Sequence, residues 1–257
     1  MTVIALDIGN TRLGAGLFTD GKAVDPAQRI NCADWQAELP GLLRTLMDQS
    51  SEKIDGVAVS SVFPALTGPV CELARRTTGS QVLIAGVDMA IPVKTALADE
   101  STVGTDRLLG ALSAYVNTEQ ACVIISAGTA LVVDCIDDNG LFLGGAIGPG
   151  LQLCAKALHD GTAQLPVATL DPVSDPLGKN TMEALNSGIY AMARGGVREL
   201  VEKIADGLGR WPHVVATGGD ARRLLADSGL VDSFIPDLAL QGAALLWEHC
   251  RANQPEK

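Results

Sequence analysis

Short apolar runs broken by small-residue turns open both halves of the chain. Val3-Ile4-Ala5-Leu6 ends at Asp7-Ile8-Gly9-Asn10-Thr11, a second run covers Leu13 to Phe18, and Asp20-Gly21 supplies a strong turn signal. The pattern returns near the middle. Cys122-Val123-Ile124-Ile125 runs into Ser126-Ala127-Gly128-Thr129-Ala130, Leu131 to Ile136 follows, and Asp138-Asn139-Gly140 leads to Leu141-Phe142-Leu143-Gly144-Gly145. Each half therefore predicts a strand, a turn with Gly and Thr, a strand, an Asn/Asp-Gly turn and a strand. Hairpins are common, but the shared Gly and Thr favour duplication.

Helical periods fill the intervals. Trp35, Leu39, Leu42, Leu43 and Leu46 fall on one face of a helix predicted over Trp35 to Met47, with Pro40 near its start. Gly56 to Val62 reads as a buried strand ended by Pro64, Pro69 to Thr77 as a helix with proline in its first turn, and Gln81 to Ala85 as another strand. Leu108, Leu109, Leu112, Tyr115 and Val116 define a helix after Gly104-Thr105-Asp106-Arg107. Thr181 to about Leu208 predicts a long helix interrupted at Gly195-Gly196, and Val214-Val215-Ala216 a strand entering Thr217-Gly218-Gly219-Asp220 before a helix from Ala221. Asn117 to Gln120 is polar and unpatterned, so a boundary is expected there, with domains at 1–118 and 119–257. The alternation predicts an α/β fold of mixed sheets with flanking helices.

Composition narrows the function classes. The net charge of −11 leaves no basic footprint for nucleic acid, although local N–H groups can still hold a nucleotide phosphate. The six cysteines lie far apart without a CxxC pair, and His159, His213 and His249 lack zinc-finger spacing. Free thiols, an apolar strand at the start and no run of bilayer length lead to the expectation of a soluble cytoplasmic protein without membrane contact.

Three turns can carry phosphate chemistry. In Asp7-Ile8-Gly9-Asn10-Thr11 a carboxylate ends a strand and glycine lets backbone N–H groups approach an anion; an ordinary Asx turn closing a hairpin explains the same residues. Gly128-Thr129 occupies the equivalent place in the second half, and Thr217-Gly218-Gly219-Asp220 is a third such turn. Neither a P-loop nor a protein-kinase glycine loop occurs, so a polyphosphate here would sit in an actin-like cleft. Asp106, at the start of a helix, is either a cap or a general base. Beside it Arg107 opposes the helix macrodipole and suits a carboxylate or phosphate. Thr181 is likewise a cap or a substrate contact.

Taken together and in order, these motifs resemble the type III pantothenate kinases, relatives of actin and hexokinase. The resemblance spans nearly the whole chain: Asp7 to Thr11, Ser60-Ser61-Val62-Phe63-Pro64, Gly104 to Arg107, Gly128-Thr129-Ala130, Gly144 to Gly150, Thr162 to Pro166 and Gly178-Lys179-Asn180-Thr181. It implies two duplicated actin-like (ribonuclease H-like) domains with a cleft between them. It also implies ATP-dependent phosphorylation of pantothenate to 4'-phosphopantothenate, the first step toward coenzyme A. Carried over by motif, Asp7, Ile8, Gly9, Asn10, Thr11, Arg12, Leu13, Gly14 and Thr129 contact ATP. Gly104, Thr105, Asp106, Arg107 and Thr181 contact pantothenate, with Asp106 as proton acceptor. The resemblance further implies a homodimer, a divalent metal such as magnesium and a monovalent cation, potassium or ammonium.

Three positions depart from the family pattern. Ser126 stands where the family has the aspartate that holds the monovalent cation, and a neutral hydroxyl predicts weaker or absent cation binding. Leu97-Ala98-Asp99-Glu100 replaces a segment with a substrate-contacting tyrosine, and Val132 replaces a frequent threonine. These departures leave two alternatives: a related kinase acting on another small hydroxy acid or sugar, or a nucleotide binder without turnover.

Overall fold

The computed structural model describes residues 1–172 and 175–253. They form two compact units, Met1–Asn117 with the chain from Asp237 onward, and Thr118–Pro236. In the first unit the elements are β1 (Thr2–Ile8), β2 (Arg12–Thr19), β3 (Lys22–Ala23), β4 (Gln28–Asn31), α1 (Trp35–Gln49), β5 (Gly56–Ser61), α2 (Pro64–Thr78), β6 (Val82–Ile84), β7 (Lys94–Thr95) and α3 (Thr105–Thr118). Its sheet runs β3-β2-β1-β5-β6, with β4 also on β2. β1 is antiparallel to β2 and parallel to β5, and β5 is parallel to β6.

The second unit contains β8 (Cys122–Ala127), β9 (Ala130–Ile136), β10 (Leu141–Pro149), α4 (Leu151–Asp160), α5 (Thr181–Leu208), β11 (His213–Thr217), α6 (Ala221–Leu225) and β12 (Ser233–Phe234). Its own strands run β10-β9-β8-β11-β12. β8 is antiparallel to β9 and parallel to β11, and β11 is parallel to β12. This is the connectivity of the first sheet, so the repeat visible in the turns is a repeat of topology.

The final helix, α7 (Leu238–Ala252), corrects the expected division of the chain. The segment from Asp237 packs into the first unit, although the expected second domain ran from 119 to 257. The reason is steric and apolar. Leu240, Ala243, Ala244, Leu246 and Trp247 join Val3, Ala5, Ala58 and Leu109 in one buried cluster. A Cβ at Gly56 would lie 2.0 Å from the Trp247 ring, and one at Gly242 2.1 Å from the Leu109 carbonyl oxygen, so both glycines are clearances for this helix.

Two helix expectations are also revised. α2 starts at Pro64 rather than Pro69, because Pro64 is itself suited to a first helical position, and Pro69 lies inside. α5 passes through Gly195-Gly196 without a break; two glycines cost propensity only, about 1 kcal/mol each, and burial of Val197 and Val201 offsets this. α6 is a single short turn of five residues.

Candidate active site

In the first unit the turn between β1 and β2 follows from its register. Ile8 pairs with Leu13, and the Gly9 N–H donates to the Arg12 carbonyl at 3.0 Å. A Cβ on Gly9 would stand 3.1 Å from that same oxygen, so the tight closure favours glycine. Cys32 fastens the turn from behind, its N–H donating to the Thr11 carbonyl and its thiol to the Gly9 carbonyl. Asn10, Thr11 and Arg12 project outward, whereas Ile8 and Leu13 are core residues.

Asp7 is the unusual member. Its Oδ1 is shut off from water and accepts no hydrogen bond from a described residue, and the same holds for the hydroxyl of Ser60, its register partner on β5. Burial pushes the Asp7 carboxyl up to about 6. The negative charge of Asp106 adds to this, while the nearby Ser60 hydroxyl, which forms no aligned hydrogen bond, and the Arg29 cation offset part of it. An orphaned buried acceptor costs about 1–3 kcal/mol, which a fold retains where a ligand will satisfy it.

A pH dependence follows. The folded protein holds the Asp7 proton more tightly than the unfolded chain, whose carboxyl titrates near 3.8. Stability is therefore full below about pH 4 and is lost as pH rises through about 6, by at most about 3 kcal/mol from this group. Asp7→Asn is expected to flatten that slope and to raise the melting temperature of the ligand-free protein at neutral pH. Thermal melts of both proteins between pH 4 and 7 check this; parallel curves would refute it.

Asp106 lies inside the first turn of α3, not ahead of it. The helix begins at Thr105, the Arg107 and Leu108 N–H groups donate to the Gly104 carbonyl, and the Asp106 Oδ1 accepts the Arg107 N–H at 2.9 Å. The expected N-cap alternative is thus corrected: a cap side chain precedes the helix and accepts from its second or third residue. A Cβ at Gly104 would meet Asp106 Oδ1 at 2.5 Å, so the carboxylate folds back over the glycine. Burial raises its pKa, against the lowering effect of the Arg107 N–H and guanidinium. Thr105 anchors the turn to β5 through its hydroxyl and the Ser61 carbonyl, 3.1 Å apart. Parallel pairing of β1 with β5 and this anchor bring Asp106 within electrostatic reach of Asp7.

In the second unit the glycine turns expected to share a role do converge. Gly128 N–H closes on the Ala130 carbonyl, and Gly150 N–H donates to the Thr129 carbonyl at 3.1 Å. A Cβ on Gly150 would be 2.0 Å from the Gly128 oxygen. Gly218, at φ 94°, leaves 2.3 Å between its would-be Cβ and the Ala127 oxygen, and the Asp220 N–H donates to that oxygen. Ser126 lies between Val132 on β9 and Thr217 on β11.

Thr181 is not the cap of α5. Asn180 fills that place, its Oδ1 accepting the Glu183 N–H at 2.9 Å while Glu183 accepts from Asn180 and from the Lys179 N–H. Thr181, the first helical residue, is exposed. Leu97, which stands in the segment that departs from the family, is half-buried just ahead of a single 3₁₀ turn capped by Asp99. Sequence reading quoted Ser60 only as part of a motif and missed Arg29 and Asp237, all of which act on Asp7; a charged residue on a short strand gave no local signal.

Metal donors are sparse. Among the described residues no group of three or more His, Cys, Asp or Glu could hold an ion. One carboxylate with an orphaned oxygen, as at Asp7, suits magnesium delivered with phosphates, which keeps waters and takes few protein ligands. Ser126 contributes no charge, so the residues present do not fit the carboxylate site expected for a monovalent cation. No helix among the described residues is long and apolar enough to cross a membrane.

Comparisons with known proteins show the family. The family model for type III pantothenate kinase matches residues 3–203. A type III pantothenate kinase of Dehalococcoides mccartyi is 34% identical over 250 residues, spanning 96% of this chain and 97% of its own. One from Rhodospirillum rubrum is 33% identical over 262 residues, spanning 99% and 100%. Among solved structures, component A of the Acidaminococcus fermentans (R)-2-hydroxyglutaryl-CoA dehydratase is similar with a TM-score of 0.57 at 15% identity, over 99% of this chain and 100% of its own, which is a likeness of fold.

Proposed function

We propose, for a chain that belongs to the type III pantothenate kinase family and so phosphorylates pantothenate with ATP in coenzyme A biosynthesis, that Asp106 is the group that accepts the proton of the attacking hydroxyl. The observation that carries this is the Asp106 carboxylate, held over Gly104 by the Arg107 N–H and raised in pKa by burial. A base with a raised pKa takes a hydroxyl proton more readily than an ordinary surface carboxylate.

The terminal hydroxyl oxygen of pantothenate bonds to the γ-phosphorus, the bond from that phosphorus to the bridging oxygen breaks, and ADP departs with the electron pair. Asp106 takes the hydroxyl proton as this happens. Gly104, Thr105, Arg107 and Thr181 are assigned to pantothenate, with Arg107 suited to its carboxylate. The turn Asp7 to Gly14 and Thr129 are assigned to ATP, whose phosphate oxygens would meet the exposed Asn10, Thr11 and Arg12 of that turn. Magnesium, when bound, would neutralise phosphate charge, and Asp7 would hold it through the orphaned oxygen.

The test is coupled ADP release with ATP, magnesium and pantothenate, with and without potassium. Turnover is expected in both conditions within about threefold, because a serine hydroxyl offers potassium no charge. Ser126→Asp should introduce a potassium response. A strict potassium requirement in the unaltered protein would overturn that assignment, and absence of turnover throughout would overturn the role given to Asp106.

Self-association is proposed as well. Ile147, Leu177 and Met192 in the second unit are 64%, 68% and 78% exposed, apolar side chains that a homodimer contact would cover. Light scattering should return twice the chain mass of 26.6 kDa. A monomer mass at micromolar concentration would refute it.

A further inference from the structure

Asp7, Gly14 and Arg29 stand in one cross-strand row over β1, β2 and β4: Asp7 pairs with Gly14, and Gly14 with Arg29. Adjacent strands lie about 4.8 Å apart, so Asp7 and Arg29 are roughly 9.6 Å apart along the row, with only a hydrogen atom where the middle side chain would be. A Cβ at Gly14 would find Leu240 Cδ1 at 3.5 Å, Arg29 Cγ at 3.9 Å and Asp7 Cβ at 4.0 Å. The stem of Arg29 and the Asp7 side chain thus approach over the same glycine, with Leu240 alongside.

The guanidinium is held rather than loose. Its Nη2 is ion-paired with Asp237 Oδ1, and the Asp237 side chain is only 9% exposed while that of Arg29 keeps 37%. Asp237 has φ 58°, in the left-handed region that a non-glycine residue enters at a cost, at the N-terminal edge of α7. From that position the Asp237 carboxylate meets the Arg29 guanidinium.

Resting on the phosphotransfer reading above, we propose that Arg29 is a phosphate-binding residue of the nucleotide site, held beside Asp7 by Asp237 until the polyphosphate binds. A guanidinium has five N–H donors in a planar fork, and the bond to Asp237 uses one of them. The remainder suit phosphate oxygens brought to the Asp7–Gly14 turn. The competing anion is the pantothenate carboxylate; the shared row with the phosphate turn, through Gly14, favours phosphate. Arg29 adds a second positive charge to that of the exposed Arg12 at a turn that also carries the Asp7 carboxylate.

The experiment is calorimetric binding of a non-hydrolysable ATP analogue with magnesium to the unaltered protein and to Arg29→Gln, Arg29→Lys and Asp237→Asn. Thermal melts and the KM for pantothenate are measured on the same samples. Arg29→Gln should weaken the analogue about 10- to 100-fold, the range of a lost charge-assisted bond, and Arg29→Lys less. The KM for pantothenate should stay within about twofold. Asp237→Asn should lower the melting temperature as much as Arg29→Gln while leaving analogue binding within about threefold, since the guanidinium is then free to meet phosphate.

Unchanged binding in Arg29→Gln, or equal losses in Arg29→Gln and Asp237→Asn, would reduce Arg29 to a fastener and overturn the proposal. So would a loss confined to the KM for pantothenate. If the unaltered protein binds the analogue but does not phosphorylate pantothenate, the role of Asp106 fails and the binding ratios still decide Arg29. If it does not bind the analogue, both fail.

Discussion

Asp106→Asn is expected to lower turnover by about two to four orders of magnitude, the range over which a positioned general base contributes. It should do so without loss of stability. Asparagine keeps the side-chain oxygen that accepts the Arg107 N–H, so the first turn of α3 stays satisfied. Burial also raises the Asp106 pKa, which means that its ionised form costs stability at neutral pH. The melting temperature of the variant should therefore equal or exceed that of the parent. Single-turnover kinetics and a thermal melt on the same preparation check both halves. If Asp106 served only to finish the helix, asparagine would serve equally and turnover would persist.

Trp247→Ala should destabilise the protein by about 3–5 kcal/mol, the cost of removing a large aromatic from a closed core. Trp247 is fully buried, its ring fills the space above Gly56, and nothing small can collapse into that gap without moving β5. The indole Nε1 has no hydrogen-bond partner among the described residues. Trp247→Phe removes that orphan donor together with some volume, so the two effects oppose and the net loss should be about 1 kcal/mol. Denaturant titrations of the three proteins separate the cases. A loss on Trp247→Phe well above that value would count against relief of an orphan donor.

The loss on Trp247→Ala should extend to nucleotide binding, because α7 also carries Leu240 against Gly14. The helix that closes the chain thus supports the turn that opens it. Gln241 and Glu248 add to this link. Glu248 accepts the Gly21 N–H at 2.7 Å, and Gln241 bonds both the Gly21 carbonyl and the Ser113 hydroxyl.

Much of the β1–β2 turn was legible locally. A hairpin needs only its own residues: apolar alternation sets β1 and β2, and Gly9 permits the closure on Arg12. The same applies to β8 and β9 and to the recurrence of the pattern, which is why the duplicated fold could be anticipated. Asp106 was identifiable as a candidate from its place at a helix start beside an arginine. Its exact helical position was not, because Gly104, Thr105 and Asp106 could each begin the helix and only the backbone path chooses. Thr181 and Asn180 posed the same ambiguity, and the extended backbone of Asn180 resolved it.

The sequence by itself determined the local elements and the repeat and marked the candidates for phosphate contact, because neighbouring residues dictate turns and periodicity. Tertiary structure alone decided which unit owns α7, since that depends on a cavity left by Gly56 in a distant strand. It alone placed Ser60, Arg29 and Asp237 around Asp7, because parallel pairing and a glycine gap join positions with no mark of contact in the chain. The raised pKa of Asp7 belongs to the same class: burial and neighbouring charge exist only once the sheet has formed.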